Sequence, residues 1–320
     1  MAVPVLLDCD PGIDDMVAIL VAAARPDINL LGVTTVGGNV GLPATTRNAR
    51  AVLALAGRSE VPVAAGAPRS LVRVTRRGGE DVHGTDGLGG VQLAEPETPV
   101  DPRHAVDFLA EMIDGAAEPV TLVATGPLTN VALLYARHPS VAARLARLVV
   151  MGGSIGAGNV TPAAEFNIWF DPEAAYRVLT SPGLDPAVSV TLIGLDITYR
   201  TTFSGTDLDT LRSRGRIGAL VAEALAHYRH GYERILGEPV VPVHDAVALT
   251  AAVRADLFRM RPAFVDVDTG YGPSRGNTAV DLRAAAPNAE VAVNVDAAGV
   301  VGYIQESFAL LPVGHRSGEA

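Results

Sequence analysis

Short apolar runs alternate with segments of helical periodicity through the first two-thirds of the chain, and this rhythm restricts the fold more than any other feature. Residues 3–7, 28–36, 61–65, 120–124, 148–151 and 188–193 are apolar or β-branched and read as buried strands. Residues 14–24, 45–56, 104–116, 128–137 and 172–179 read as the helices between them. Strands joined through helices return in the same direction. The fold class is therefore α/β, with a mostly parallel, open twisted sheet flanked by helices. Beyond residue 195 the pattern is more helical, over 206–214, 217–236 and 245–253, with strand-like runs at 263–267 and 290–295 and a final helix. No linker or internal repeat divides the chain. The expectation is one domain over 1–312 and a disordered tail over 313–320.

In such sheets ligands bind beyond the carboxyl ends of the strands. The polar motifs collect there: 8–15 after the first strand, Gly37-Gly38-Asn39 after the second, Thr125-Gly126 and 152–167 after later ones. The stretch 66–97 has no clear periodicity and exceeds an ordinary connector, so it reads as a functional loop.

Charge and composition remove several function classes. There are 35 acidic and 25 basic residues, a net charge of −10, with no basic run, which argues against a nucleic-acid surface. Every basic residue is arginine. Without lysine there is no Schiff base and no P-loop. A single cysteine, Cys9, cannot build an internal disulfide or a cysteine zinc site. No apolar run is long enough to span a membrane, and the N-terminus lacks a basic leader. A cytoplasmic protein is expected.

The carboxylates are then the first suspects for chemistry. Asp8-Cys9-Asp10-Pro11-Gly12-Ile13-Asp14-Asp15 holds four acids in eight residues at the exit of a buried strand. Like charges repel and their desolvation is costly, so a bound cation is the natural resolution. Carboxylate oxygens suit a hard ion, Ca²⁺ or Mg²⁺. Asp8 and Asp10, two apart on a strand end, point the same way. Asp14 and Asp15 fall in the first turn of the next helix, where either could instead act as a cap.

The octet resembles the N-terminal signature of the inosine-uridine-preferring nucleoside hydrolases. The likeness continues in order through Thr34-Thr35-Val36-Gly37-Gly38-Asn39, His83-Gly84-Thr85-Asp86-Gly87-Leu88-Gly89, Ala124-Thr125-Gly126-Pro127-Leu128-Thr129-Asn130, Met151-Gly152-Gly153, Glu165-Phe166-Asn167 and His244-Asp245. The resemblance implies hydrolysis of a ribonucleoside N-glycosidic bond to free base and ribose. It further implies that Asp10, Asp15, the carbonyl of Thr125 and Asp245 hold one Ca²⁺ that chelates the ribose 2′- and 3′-hydroxyls. Asp10 would be the general base on the metal-bound water, and Asp8 would orient the ligands from behind. Asp14 and Asn39 would bind those hydroxyls or the water. Asn159, Glu165 and Asn167 would hold the 3′ and 5′ side of the sugar, with Met151 as an apolar contact. His244 would donate a proton, or at least a hydrogen bond, to the leaving base, with His83 as a second base-side residue. A homodimer or homotetramer is also implied.

Several residues keep two readings. Glu165 and Asn167, two apart on extended chain, would face one sugar edge, or belong to an ordinary polar loop. Asn159 sits in a glycine-rich turn where asparagine is common for backbone reasons. Asp245 could cap the helix it precedes. Tyr228 and Tyr232, four apart on one helix face, are either a lid over the nucleobase or aromatic packing. Trp169 reads as packing, and the histidine pattern fits nonspecific or pyrimidine-preferring members better than purine-specific ones. The competing functions are a related N-ribosyl hydrolase acting on a modified nucleoside or other riboside, and a noncatalytic metal-dependent nucleoside- or sugar-binding protein. The presence of both Asp10 and His244 weighs against the latter, because binding alone needs no base.

Overall fold

Seven residues, Val3–Cys9, form the first strand, β1, and from Val5 onward all are buried. Val5, Leu7 and Cys9 enter one core and Leu6 the other, so the strand has apolar cover on both faces. The computed structural model describes residues 2–73, 78–180, 188–237 and 239–312; the expected tail at 313–320 lies outside them. Its other strands are β2 (Ile28–Thr35), β3 (Val63–Ala65), β4 (Thr121–Ala124), β5 (Arg147–Met151), β6 (Val190–Ile193), β7 (Phe258–Val267), β8 (Thr278–Asp281) and β9 (Ala289–Val295).

All nine join one sheet in the order β3-β2-β1-β4-β5-β6-β9-β7-β8. The pairings from β3 across to β9 are parallel, whereas β7 runs antiparallel to both β9 and β8. From β1 the chain winds outward to β2 and β3, then returns to β4 and winds the other way. The direction thus reverses between β1 and β4, which opens a crevice beyond their carboxyl ends. Register sharpens that point: Asp8 lies opposite both Thr34 and Ala124. Asp10, Val36 and Thr125 therefore leave the sheet side by side.

The helix Ile13–Ala24 is buried along its whole length except Ala24. It contacts the helices Leu42–Leu55, Gly215–Leu236, His244–Val253 and Ala297–Phe308, so its alanines and branched residues meet protein on every side. On the other face the helices Ala105–Gly115, Thr129–Arg137 and Pro172–Thr180 form a second core. Among the described residues no helix is long and apolar enough to cross a membrane.

The C-terminal part carries more strand than the periodicity predicts. The run at 263–267 begins at Phe258, and the four residues of β8 gave no signal of their own. Exposed and buried positions alternate in β7, as expected for an antiparallel strand with one wet face. Because Ile19 is wholly buried at the centre of the first helix, Ile19→Ala should lower stability by about 2–5 kcal/mol, measured by denaturant unfolding.

Candidate active site

Main-chain bonds extend the sheet one step past β1 and bring its polar exit together. The amide of Val36 donates to the Cys9 carbonyl at 3.0 Å and that of Thr125 to the Asp8 carbonyl at 2.8 Å. Asp8 is anchored by Thr34 Oγ1 at 2.5 Å and Asn130 Nδ2 at 2.8 Å. Asp10 Oδ2 accepts from the Asn39 amide at 2.6 Å. Two glycines make room for that carboxylate: a Cβ at Gly38 would lie 2.0 Å from Asp10 Oδ2, and one at Gly126 2.7 Å from Oδ1. Asp15 accepts from the Gly12 amide at 3.0 Å and from Thr125 Oγ1 at 2.8 Å, so it does cap its helix. Asp14 does not; it accepts from the Tyr228 hydroxyl at 3.1 Å. Asp245 follows the first residue of the helix His244–Val253, whose start has no side-chain cap, so the capping reading does not hold for it.

Asp14 and Asp15, adjacent in sequence, and the distant Asp245 each offer an oxygen within 4.8 Å of the other two. All four acids, Asp10 included, are buried. Burial and then mutual repulsion push the carboxyls of Asp10 and Asp245 well above the usual range and raise that of Asp14, while burial, against the hydrogen bonds it accepts, raises that of Asp15. No arginine pairs with them among the described residues. Oδ1 of Asp10, Oδ1 of Asp14 and Oδ2 of Asp8 are buried without a hydrogen-bond partner. Buried carboxylate oxygens, several without a hydrogen-bond partner and three within 4.8 Å of one another, fit a hard divalent cation.

The sugar-side candidates come from the loop after β5. Glu165 precedes a helix, Phe166–Phe170, that the extended-chain reading of Glu165 and Asn167 missed. Its carboxylate accepts the amides of Asn167 and Ile168, at 2.9 and 3.1 Å, and reaches the Gly153 amide at 3.0 Å. Glu165 itself is extended, but Asn167 lies in the first helical turn, because capping by the carboxylate favours helix there. Asn167 Nδ2 donates to the Thr125 carbonyl at 2.7 Å and the Met151 carbonyl at 3.2 Å. Asn159 Oδ1 accepts from the Phe166 amide at 2.9 Å. The asparagine thus has the backbone role that its turn suggested, while it also lines the cleft.

Opposite chemistry marks the remaining wall. The 66–97 stretch carries a short helix, Glu80–His83, that delivers His83. The Ile13 amide donates to His83 Nδ1 at 3.0 Å. Burial lowers the His83 and His244 pKa values to about 3, so both rings are neutral at pH 7. With Nδ1 an acceptor, neutral His83 carries its proton on Nε2. His244 is held by Thr198 Oγ1 at 2.7 Å and by Tyr232 Oη at 2.8 Å. The Tyr228 hydroxyl lies 3.5 Å from that of Tyr232. Both tyrosines are buried but line the cleft with their hydroxyls engaged, so they are neither a free lid nor plain packing. Trp169 is absent from the lining and backs onto Gly276.

The cleft therefore gathers Asp14, Asn39, His83, Thr125, Met151, Asn159, Glu165, Asn167, Tyr228, His244 and Asp245, while Asp8, Asp10 and Asp15 are buried and not part of its lining. Sequence reasoning passed over Thr198 and Tyr199, which close the wall after β6. The signal available was another parallel strand whose carboxyl end turns polar at Asp196.

An α/β sheet with a carboxylate-floored cleft at its switch point defines a small-molecule enzyme of the ligand-crevice type. Comparison with known proteins narrows this. Residues 5–302 match the model of the family described as inosine-uridine preferring nucleoside hydrolase. The chain is 40% identical over 311 residues to the pyrimidine-specific ribonucleoside hydrolase RihA of Salmonella arizonae, covering 96% of this chain and 98% of that protein. Among solved structures, the plant nucleoside hydrolase PpNRh1 superposes with a TM-score of 0.89 at 30% identity, covering 97% and 99% of the two chains. A purine-preferring ribonucleoside hydrolase from Gardnerella vaginalis gives 0.89 at 30%, covering 96% and 98%. The chain belongs to the inosine-uridine preferring nucleoside hydrolase family. Membership makes it an N-glycosidase that hydrolyses ribonucleosides to free base and ribose.

The buried acids have a consequence for stability. Burial raises Asp8 from 3.8 to about 6 and Glu165 from 4.5 to about 7. Between the unfolded and folded values the native state binds more protons than the unfolded chain, so this contribution is present at low pH and lost as pH rises. With chelator present, the thermal midpoint should fall as pH rises from 5 to 7.5, and added Ca²⁺ should raise it more at pH 7.5 than at pH 5. A midpoint insensitive to Ca²⁺ at both values would contradict a cation-binding cleft.

Proposed function

We propose that Asp10 is the general base of the hydrolysis and that Asp10, Asp15, Asp245 and the Thr125 carbonyl hold one Ca²⁺. Two observations carry this reading: Asp14, Asp15 and Asp245 each offer an oxygen within 4.8 Å of the others, and Asp10 Oδ1 is buried without a hydrogen-bond partner. A bound calcium ion supplies a lowered water pKa and a grip on vicinal hydroxyls. The chain's own residues do the rest. Asp10, fixed by the Asn39 amide through Oδ2, keeps Oδ1 free to take the proton of the attacking water. Asp8, tied to Thr34 and Asn130, backs the site from β1 and helps keep its floor rigid. Asp14 and Asn39 recognise the ribose diol, and Asn159, Glu165 and Asn167 the other sugar edge, with Met151 against the ring.

An N-glycosidic bond breaks with positive charge developing on the sugar. The acidic floor stabilises that charge where it forms. The leaving base faces His83, Tyr228 and His244. Burial keeps His244 neutral and Thr198 and Tyr232 engage its two ring nitrogens, so its help to the departing base is a hydrogen bond gained in exchange for one of these, not a proton from an imidazolium. His83 Nε2 and that exchanged bond suit the carbonyl oxygens of a pyrimidine, and the resemblance to the pyrimidine-specific relatives points the same way. We assign uridine and cytidine as preferred substrates.

The deciding experiment is ribose release from inosine, adenosine, guanosine, uridine and cytidine, with and without chelator, for the unaltered enzyme and Asp10→Asn. Uridine and cytidine should turn over fastest, chelator should abolish turnover, and Asp10→Asn should lower kcat by about 10²–10⁴-fold. Full activity in chelator would remove the ion, and an unchanged rate would remove Asp10 as base. His244→Ala should slow uridine far more than a riboside with a good leaving group, measured as kcat/KM on each. Equal losses would argue against assistance to the departing base.

A further inference from the structure

Behind the base-side wall of the cleft lies a hydroxyl that decides which nitrogen of His244 carries the ring proton. The turn at Gly194 leads into the short helix Leu195–Thr198, which packs on β9 and on the helix His244–Val253. Thr198, its last residue, is wholly buried. Its Oγ1 lies 2.7 Å from His244 Nδ1 and makes no other hydrogen bond among the described residues. On the far side of the ring, Nε2 lies 2.8 Å from the Tyr232 hydroxyl. Edge-on contact with Tyr199, centroids 5.4 Å apart at 76°, and tilted contact with Tyr232 at 5.9 Å restrict rotation of the imidazole.

Counting protons gives this arrangement a direction. A neutral imidazole has one donor nitrogen and one acceptor. A threonine hydroxyl can both donate and accept, but in a buried site its one proton needs an acceptor. For Thr198 that acceptor is Nδ1. Were Nδ1 to carry the ring proton, the Thr198 proton would be left buried and unpaired, at the desolvation cost of a lost hydrogen bond. Tyr232 is under no such constraint, because the Tyr228 hydroxyl, 3.5 Å away, gives it a second partner. The ring proton therefore belongs on Nε2, where the Tyr232 oxygen accepts it.

We infer that Thr198 is a positioning residue that holds His244 in the tautomer protonated on Nε2 and so aims its donor at the departing base. The inference rests on the reading of His244 as a hydrogen-bond donor to that base, and it names the bond that is exchanged: Tyr232 yields Nε2–H to the substrate while Thr198 keeps Nδ1. A hydrogen bond accepted by Nδ1 polarises the ring and makes Nε2–H the better donor. The base gains negative charge as the glycosidic bond breaks. The bond from Nε2 strengthens with it, so losing the tautomer costs kcat more than KM.

Thr198→Val removes the hydroxyl at nearly constant volume, whereas Thr198→Ser keeps it. Thr198→Val should lower kcat on uridine about tenfold with KM little changed, and should leave p-nitrophenyl riboside, whose leaving group needs no such help, nearly untouched. Thr198→Ser should recover most of the loss. In a His244→Ala background, Thr198→Val should have no further effect. Ring-nitrogen NMR of histidine-labelled enzyme, with the His244 signals assigned by their disappearance in His244→Ala, should show the proton on Nε2 in the unaltered enzyme and a shift toward Nδ1 in Thr198→Val. A proton on Nδ1 in the unaltered enzyme, equal losses on both substrates, no loss on uridine, or a loss that adds to that of His244→Ala would each overturn the assignment. Equal losses on the two substrates from His244→Ala itself would strike the donor reading and this inference with it. A selective loss in His244→Ala without one in Thr198→Val would strike Thr198 alone.

Discussion

Repulsion among buried carboxylates is the constraint around which this protein is arranged. Asp10, Asp14, Asp15 and Asp245 are all buried, the last three with oxygens within 4.8 Å of one another, and no arginine pairs with them among the described residues. Such an arrangement is tolerable only if protons or a cation neutralise it. The surrounding structure is rigid for that reason. Asp8 and Asp10 are pinned by Thr34, Asn130 and a main-chain amide, and glycines at 38 and 126 admit the carboxylate where any side chain would collide. The amides of Gly12 and Asn39 provide part of the positive potential, and the N-terminus of the helix Ile13–Ala24 adds its dipole.

The cleft divides its labour by electrostatics. One wall is anionic, where the proposed reaction would develop positive charge on the sugar. The other is neutral, because burial suppresses protonation of His83 and His244. A charged imidazolium on that wall would strengthen the hold on the acids but weaken the field felt by the sugar. Neutral His244, linked through Tyr232 and Tyr228 to Asp14, and neutral His83, held by the Ile13 amide, leave that field intact.

Much of this was legible from residue order. The acidic octet after an apolar run, the glycine-rich exits and the β-α rhythm placed the strand ends, and the resemblance to the nucleoside hydrolases named most of the cleft. What failed is instructive. Asn167 was read as extended, yet the Glu165 carboxylate caps a helix there, an outcome set by a contact two residues long. β8 escaped notice because four residues of mixed polarity carry no period, and its pairing with β7 supplies the order. Thr198 and Tyr199 were overlooked because nothing in their local pattern separates a wall of the cleft from an ordinary helix exit.

The sequence by itself determined the chemistry available: carboxylates and imidazole, with no lysine and one cysteine, placed at the ends of parallel strands whose order opens a crevice. Only the tertiary structure decided which acid keeps a free oxygen, that Asp15 caps its helix while Asp245 does not, and that both histidines stay uncharged. Those properties depend on burial and on partners from distant segments, and neither is encoded within the reach of a local motif.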